Sequence, residues 1–246
     1  MKRQEKVMGM TAKIEIADKN AKKEDVDEII RYFHKIDERF STYKKTSEIE
    51  RINTGIIKNS EYSIEMKKIL SLCEETEKET NGYFTAKING KLDPSGIVKG
   101  YALWQAGKLL KKLGYKNYFV EIGGDIEICG FCKNSKKWKV GIQNPFDTKE
   151  IVKVVYLTNK GIATSGNYIR GSHIINPISG RKANDIASTT VIGPNIYDAD
   201  RFATAAFAMG EKGIFFIESL KGFEGYMIKN DKKAVFTSGF EKYLTN

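Results

Sequence analysis

The sequence is poor in the residues that build metal clusters and covalent cross-links. Its 246 residues include 3 Cys and 2 His. Cys129 and Cys132 stand at C-x-x-C spacing, but a zinc site needs a second ligand pair, and neither His34 nor His173 is placed to complete one. With Cys73 they form an odd set, read as structural or incidental. Only 4 Pro occur, and no long polar or repetitive tract, which excludes disordered, collagen-like and repeat architectures. No apolar run approaches the length that spans a bilayer. The first eight residues are charged without an apolar stretch behind them, so a cytoplasmic protein with no membrane insertion is expected, unless a leader has been removed.

What is present is an ordinary globular composition, 41% hydrophobic and 29% charged, with a formal net charge of +10. The charge raises the question of an anionic partner. The lysines are spread along the chain among acidic residues, as at Lys22-Lys23, Lys111-Lys112 and Lys232-Lys233, which reads as solvated surface and not as a nucleic-acid patch. The length suits one domain, residues 1–246, or two intimately packed lobes.

Hydrophobic periodicity predicts a first strand over Met8 to Ile16 and a helix over Glu24 to Phe40, where Val26, Ile29, Ile30, Phe33, Ile36 and Phe40 share a face. His34 flanks that stripe and reads as a surface or edge residue. Ser63 is placed to cap a second helix running to about Thr80, with Ile64, Ile69, Leu70 and Leu72 as its apolar side. A third helix is predicted from Ile97 to Leu113. Strand periodicity follows over Tyr118 to Ile128, broken at Gly123-Gly124, and again at Trp138 to Ile142, Ile151 to Leu157, Gly161 to Ser165 and Ser188 to Val191. A helical block from Asp200 to Leu220 with a break at Gly210 precedes a hairpin around Asn230-Asp231. Elements of one type come in runs, without βαβ alternation, so the fold class is α+β.

Three stretches could carry chemistry. In Asp198 to Ala206, Asp200 and Thr204 stand at i and i+4, so on a helix both reach one ion or ligand. Their oxygens suit a hard cation such as magnesium. The purely structural alternative is Asp200 as a helix N-cap with a buried threonine. Asp93-Pro94-Ser95-Gly96 runs into a helix bearing Lys99, a phosphate cradle in outline, though the spacing is not that of a P-loop. Ala163 to Gly180 gathers hydroxyls, Arg170 and His173, whose near-neutral pKa would suit proton abstraction. A histidine on an extended segment has an equally ordinary structural reading.

Taken in order, the blocks Val7 to Met10, Phe40 to Tyr43 with Ser47 and Ile52-Asn53, Asn81 to Phe84, Asp93 to Ala102, Ile122 to Asp125, Thr164 to Gly166, His173 to Pro177 with Gly180, and Ala199 to Gly210 resemble the ApbE family of FAD:protein FMN transferases. The resemblance implies a mixed α+β fold, with antiparallel or mixed sheets, flanking helices and two packed lobes around an FAD cleft. It also implies magnesium beside the FAD pyrophosphate. Carried over by position, Asp200, Thr204 and the Gly96 carbonyl are expected to hold the metal. Met8, Tyr43, Tyr83, Phe84, Thr85, Asp93, Lys99 and Ile174 are expected to contact FAD, and His173 to act as general base. The segment between Phe84 and Asp93 is shorter than in many members. Thr85 and Asn176 stand where Asp is common. The implied reaction joins FMN through a phosphoester to a Thr or Ser hydroxyl of an acceptor flavoprotein, typically a redox-complex subunit or a reductase, and releases AMP. Hydrolysis of FAD to FMN and AMP at the same site, a flavin carrier and a basic nucleic-acid-binding module are the alternatives.

Overall fold

The structure is a computed structural model that describes residues 1–167 and 174–245. In chain order its elements are β1 (Lys2–Val7), β2 (Met10–Ile16), α1 (Lys23–Phe40), α2 (Glu48–Asn53), α3 (Ile64–Glu79), β3 (Lys87–Ile88), β4 (Lys91–Leu92), α4 (Ser95–Lys112), β5 (Tyr118–Ile122) and β6 (Asp125–Cys129). There follow β7 (Trp138–Asn144), β8 (Asp147–Leu157), β9 (Lys160–Gly166), β10 (Ile175–Asn176), β11 (Arg181–Lys182), β12 (Ile186–Gly193), α5 (Ile196–Ala208), α6 (Gly213–Ser219), β13 (Glu224–Lys229) and β14 (Ala234–Phe236).

Among the described residues the main sheet has eight strands in the order β1-β2-β5-β6-β9-β12-β13-β14, and every pairing in it is antiparallel. Helices α1, α3, α4 and α5 bury one sheet face in a large apolar cluster that includes Phe33, Ile97, Tyr118 and Ala203. The other face is covered by the β7–β8 hairpin and the chain end, around Trp138, Val155, Tyr226 and Phe240. Cys129 packs with the first cluster and Cys132 with the second. Their thiols are free.

The first strand differs from its sequence reading. Met8 and Gly9 both adopt positive φ, +52° and +71°, and form the turn of a hairpin whose register pairs Val7 with Met10. The strand ahead of that turn, Lys-Arg-Gln-Glu-Lys in composition, is an edge strand. Its charges discourage pairing with another chain, and that same polarity hides it from a hydrophobic pattern search. In α3, Ser63 caps as expected, its hydroxyl accepting from the Met66 N–H. Ile64, however, is 90% exposed, and the buried face consists of Met66, Ile69, Leu72, Cys73 and Thr76. The first residue of a helix lies ahead of the turn that faces the core.

Helix α5 begins at Ile196, earlier than its pattern suggested, and is capped by the Asn195 side chain accepting from the Asp198 N–H. Asp200 therefore sits in the second turn and is no cap. Nearly every side chain of α5 is buried, with alanines at 199, 203, 205, 206 and 208 letting α4, β9 and β12 approach closely. Among the described residues no helix is long and apolar enough to cross a membrane.

Candidate functional site

The start of α4 meets the middle of α5. Asp93 precedes the helix, and its Oδ1 accepts from the Ser95 N–H at 3.0 Å, which fixes the Asp93-Pro94-Ser95-Gly96 turn. At Gly96 a Cβ would lie 2.9 Å from the Phe84 ring and 3.4 Å from the Thr204 methyl, so glycine is what lets this backbone reach α5. One turn later the Gly100 N–H donates to Asp200 Oδ2 at 2.7 Å. In a regular helix that N–H serves the carbonyl four residues back, which here is that of Gly96. The helical donor for the Gly96 carbonyl is thus engaged by Asp200, and Gly96 itself lies against Thr204. Thr204 Oγ1 lies 3.4 Å from Ser165 Oγ on β9.

Lys99 brings a positive charge to the same place. Its Nζ pairs with Asp125 Oδ2 at 2.6 Å and stands 3.9 Å from Asp200 Oδ1. Asp125 opens β6, is 1% exposed, and accepts from the Thr164 N–H at 3.2 Å through its other oxygen. Burial pushes the Asp200 carboxyl well above the ordinary carboxylate range. Lys99 opposes that shift, the nearby Asp125 charge adds to it, and the Gly100 N–H opposes it.

Phe84 is buried against Gly96, with Tyr83 half-buried beside it. Thr85 is half-buried, its hydroxyl accepting from the Lys87 N–H at 3.2 Å. Met8 lines a groove of about 600 Å³ with Val7, Met10, His34 and Lys44. The surface position expected of His34 is the one observed. Tyr43 is 95% exposed on the adjoining loop. The Met10 side chain crowds Gly123, so the β1–β2 turn touches the Gly123-Gly124 turn that leads into Asp125. Ile174 packs with Ala183, Ile186 and Phe207, on the α5 side. His173 lies outside the described residues.

Sequence reasoning passed over Asp125, Ser165 and Glu127 as site residues. Glu127 lies two residues beyond Asp125 on the same face of β6. It is 5% exposed, and its Oε2 accepts from the Ile196 N–H at 2.8 Å, at the start of α5. Burial raises its carboxyl to about 8, against the pull of that N–H and of Lys111. The available signal was the alternation of Asp125 and Glu127 with Ile126 and Ile128, which puts two carboxylates on one side of a strand. Only the tertiary fold shows that this side is buried as deeply as the apolar one.

The donor set, one carboxylate, one hydroxyl and a backbone carbonyl, is too sparse to hold a metal by itself. Among the described residues no cluster of three or more His, Cys, Asp or Glu side chains suited to a metal ion occurs. It suits a hard cation that keeps waters and borrows oxygens from a phosphorylated ligand.

An antiparallel sheet backed by helices, with buried carboxylates, hydroxyls and a lysine gathered where α4 meets α5, defines an α+β protein with a charged site between two helices. The chain belongs to the ApbE family, whose model matches residues 8–90 and 85–227. It is 32% identical over 167 residues to the FAD:protein FMN transferase of Vibrio cholerae, covering 63% of this chain and 50% of that protein. It is 28% identical over 231 residues to that of Buchnera aphidicola subsp. Baizongia pistaciae, covering 82% and 68%. Against the first of these, and at 43% against the Haemophilus influenzae protein, the chain spans half or less of the relative's length. Among solved structures, the flavin transferase ApbE from Vibrio cholerae superposes with a TM-score of 0.86 at 25% identity over 99% of each chain. The ApbE protein from Thermotoga maritima superposes at 0.90 with 21% identity over 100% of this chain and 99% of that one, a likeness of fold.

Proposed function

We propose that this protein is a magnesium-dependent FAD:protein FMN transferase. The observation that carries the reading is the convergence of Gly96, Asp200 and Thr204 beside Lys99, within a family whose curated relatives bear that name. Gly96, through its carbonyl, and Asp200 and Thr204, through their side chains, would hold the metal. When bound, magnesium supplies Lewis-acid neutralisation of the FAD pyrophosphate charge.

The chain's own residues do the rest. Asp93 and Pro94 fix the α4 start, Asp93 Oδ1 accepting from the Ser95 N–H and the Pro94 carbonyl from those of Ile97 and Val98, and the positive end of the helix dipole would favour the phosphates. Lys99 adds positive charge where charge develops on the phosphoryl group in transfer. Phe84 closes one wall, while Met8, Tyr43, Tyr83, Thr85 and Ile174 are assigned to the flavin and adenosine ends. A Thr or Ser hydroxyl of the acceptor attacks the FMN-side phosphorus, the pyrophosphate bond breaks, and AMP leaves with that bond's electrons. His173 is assigned the hydroxyl proton, a contribution of about 10² to 10⁴ in rate. The acceptor is expected to be a flavoprotein of a redox complex or a reductase.

The test is incubation with FAD, magnesium and an acceptor bearing a Thr or Ser target segment, followed by denaturation and measurement of protein-bound flavin fluorescence. Labelling by wild type and its loss in Asp200→Ala are expected, and wild-type-like labelling by Asp200→Ala overturns the assignment. Release of FMN and AMP without acceptor, and no labelling with it, replaces transfer by hydrolysis.

A further inference from the structure

Asp200 has two carboxylate oxygens and a different neighbour at each. Oδ2 is taken by the Gly100 N–H at 2.7 Å. Oδ1 faces the Lys99 ammonium, which stands off at 3.9 Å. An ammonium this close to a buried carboxylate is drawn into contact unless something stronger holds it, since attraction between opposite charges rises steeply as distance shortens in a medium of low polarity. What holds it is Asp125, whose Oδ2 is 2.6 Å from the same Nζ. Asp125 is fixed in its turn, 1% exposed and anchored through Oδ1 to the Thr164 N–H of β9.

We propose that Asp125 is a positioning residue that draws Lys99 toward β6 and so keeps Asp200 Oδ1 open to the metal. The proposal rests on the transferase reading, which makes Asp200 a metal ligand. With both carboxylates ionised, as a bound metal requires, two carboxylates and one ammonium carry one negative charge in surplus, which suits a divalent cation. Neutralising Asp125 removes the surplus and leaves Asp200 as the carboxylate nearest to Lys99. The lysine then closes on Oδ1, and the metal has to displace it. Asp125 lies beside Asp200 but is no member of the expected metal set and meets none of the reacting atoms; it acts through Lys99.

The experiment measures Mn²⁺ affinity by electron paramagnetic resonance at saturating FAD, with thermal unfolding of each metal-free variant as a check on folding. Asp125→Asn is expected to weaken Mn²⁺ binding by about 10- to 100-fold, the range typical of groups that orient metal ligands. In Asp125→Asn/Lys99→Met the competitor is gone, so affinity is expected to return to that of Lys99→Met alone. A purely structural role for Asp125 gives no such rescue. Unchanged Mn²⁺ affinity in Asp125→Asn overturns the proposal and leaves the transferase reading intact. A loss that Lys99→Met does not relieve overturns it as well. If wild type binds FAD but no Mn²⁺, the metal-dependent reading fails and the proposal fails with it.

Discussion

A Cβ built on Gly100 would stand 2.6 Å from the Cβ of Asp200 and 3.0 Å from the Ile196 carbonyl oxygen. The two helices that carry the candidate site touch backbone to side chain at this point, and the contact is set by the absence of a single methyl group. Gly100→Ala is expected to push α4 and α5 apart. Overpacking of this kind costs about 1 to 3 kcal/mol. A shift on the order of 1 Å in the Asp200 carboxylate is expected to lower flavin transfer by about 10²-fold. Urea denaturation and the labelling assay measure the two effects separately.

Tyr43 gives the opposite pattern. At 95% exposure it contributes little to folding, so Tyr43→Ala is expected to leave stability within about 0.5 kcal/mol of wild type. Its loop is held beside the groove by the Lys44–Asp37 ion pair, 2.6 Å long. Loss of an aromatic platform there is expected to weaken FAD binding by about tenfold, within the range for stacking on a ring. Equilibrium titration of FAD fluorescence, set against thermal melts, checks the pair of outcomes.

Glu127 makes stability depend on pH. Its carboxyl is raised to about 8 by burial, while an unfolded chain releases that proton at about 4.3. Between those values the native state holds a proton that the unfolded state has lost, so stability falls as pH rises, by at most about 1.4 kcal/mol per pH unit. Glu127→Gln keeps an acceptor for the Ile196 N–H and cannot ionise. Its stability is expected to match wild type near pH 4 and to exceed it increasingly up to about pH 8. Urea midpoints across that range provide the measurement, and parallel curves would refute the assignment.

Arg201 ties α5 to α3. Its guanidinium, 7% exposed, meets Asp198 at 2.8 Å, Thr76 at 3.3 Å and Glu79. Arg201→Met preserves much of the apolar volume and leaves two carboxylates without their cation. Because Glu79 and Asp198 remain partly in water, a loss on the order of 1 to 2 kcal/mol is expected in chemical denaturation. Adding Glu79→Gln and Asp198→Asn is expected to recover part of it.

The helices were readable because each buries one stripe, and periodicity reports a stripe. Val26 through Phe40 in α1 is the clearest case. β1 escaped because an edge strand with charges on both faces has no stripe to report. The start of α5 escaped because Ile196 and Tyr197 are buried by the strand side as well as the helix side, which erases the period. For the site, the i, i+4 pairing of Asp200 and Thr204 was written in the sequence, because helix geometry alone brings those two residues together. The meeting of Lys99 with Asp125, and of Glu127 with the α5 start, joins segments tens of residues apart, and no local pattern encodes such a contact.

The burial of α5 separates two evolutionary clocks. Asp200 and Thr204 ride on a helix buried along nearly all its length, so a change in their spacing disturbs the fold. Met8 sits at a two-residue turn and Tyr43 on an open loop, where exchange costs the fold little. On the proposed transferase reading, substitutions at Met8 or Tyr43 would alter flavin or acceptor preference at little cost to the fold, whereas substitutions near Asp200 and Thr204 would not.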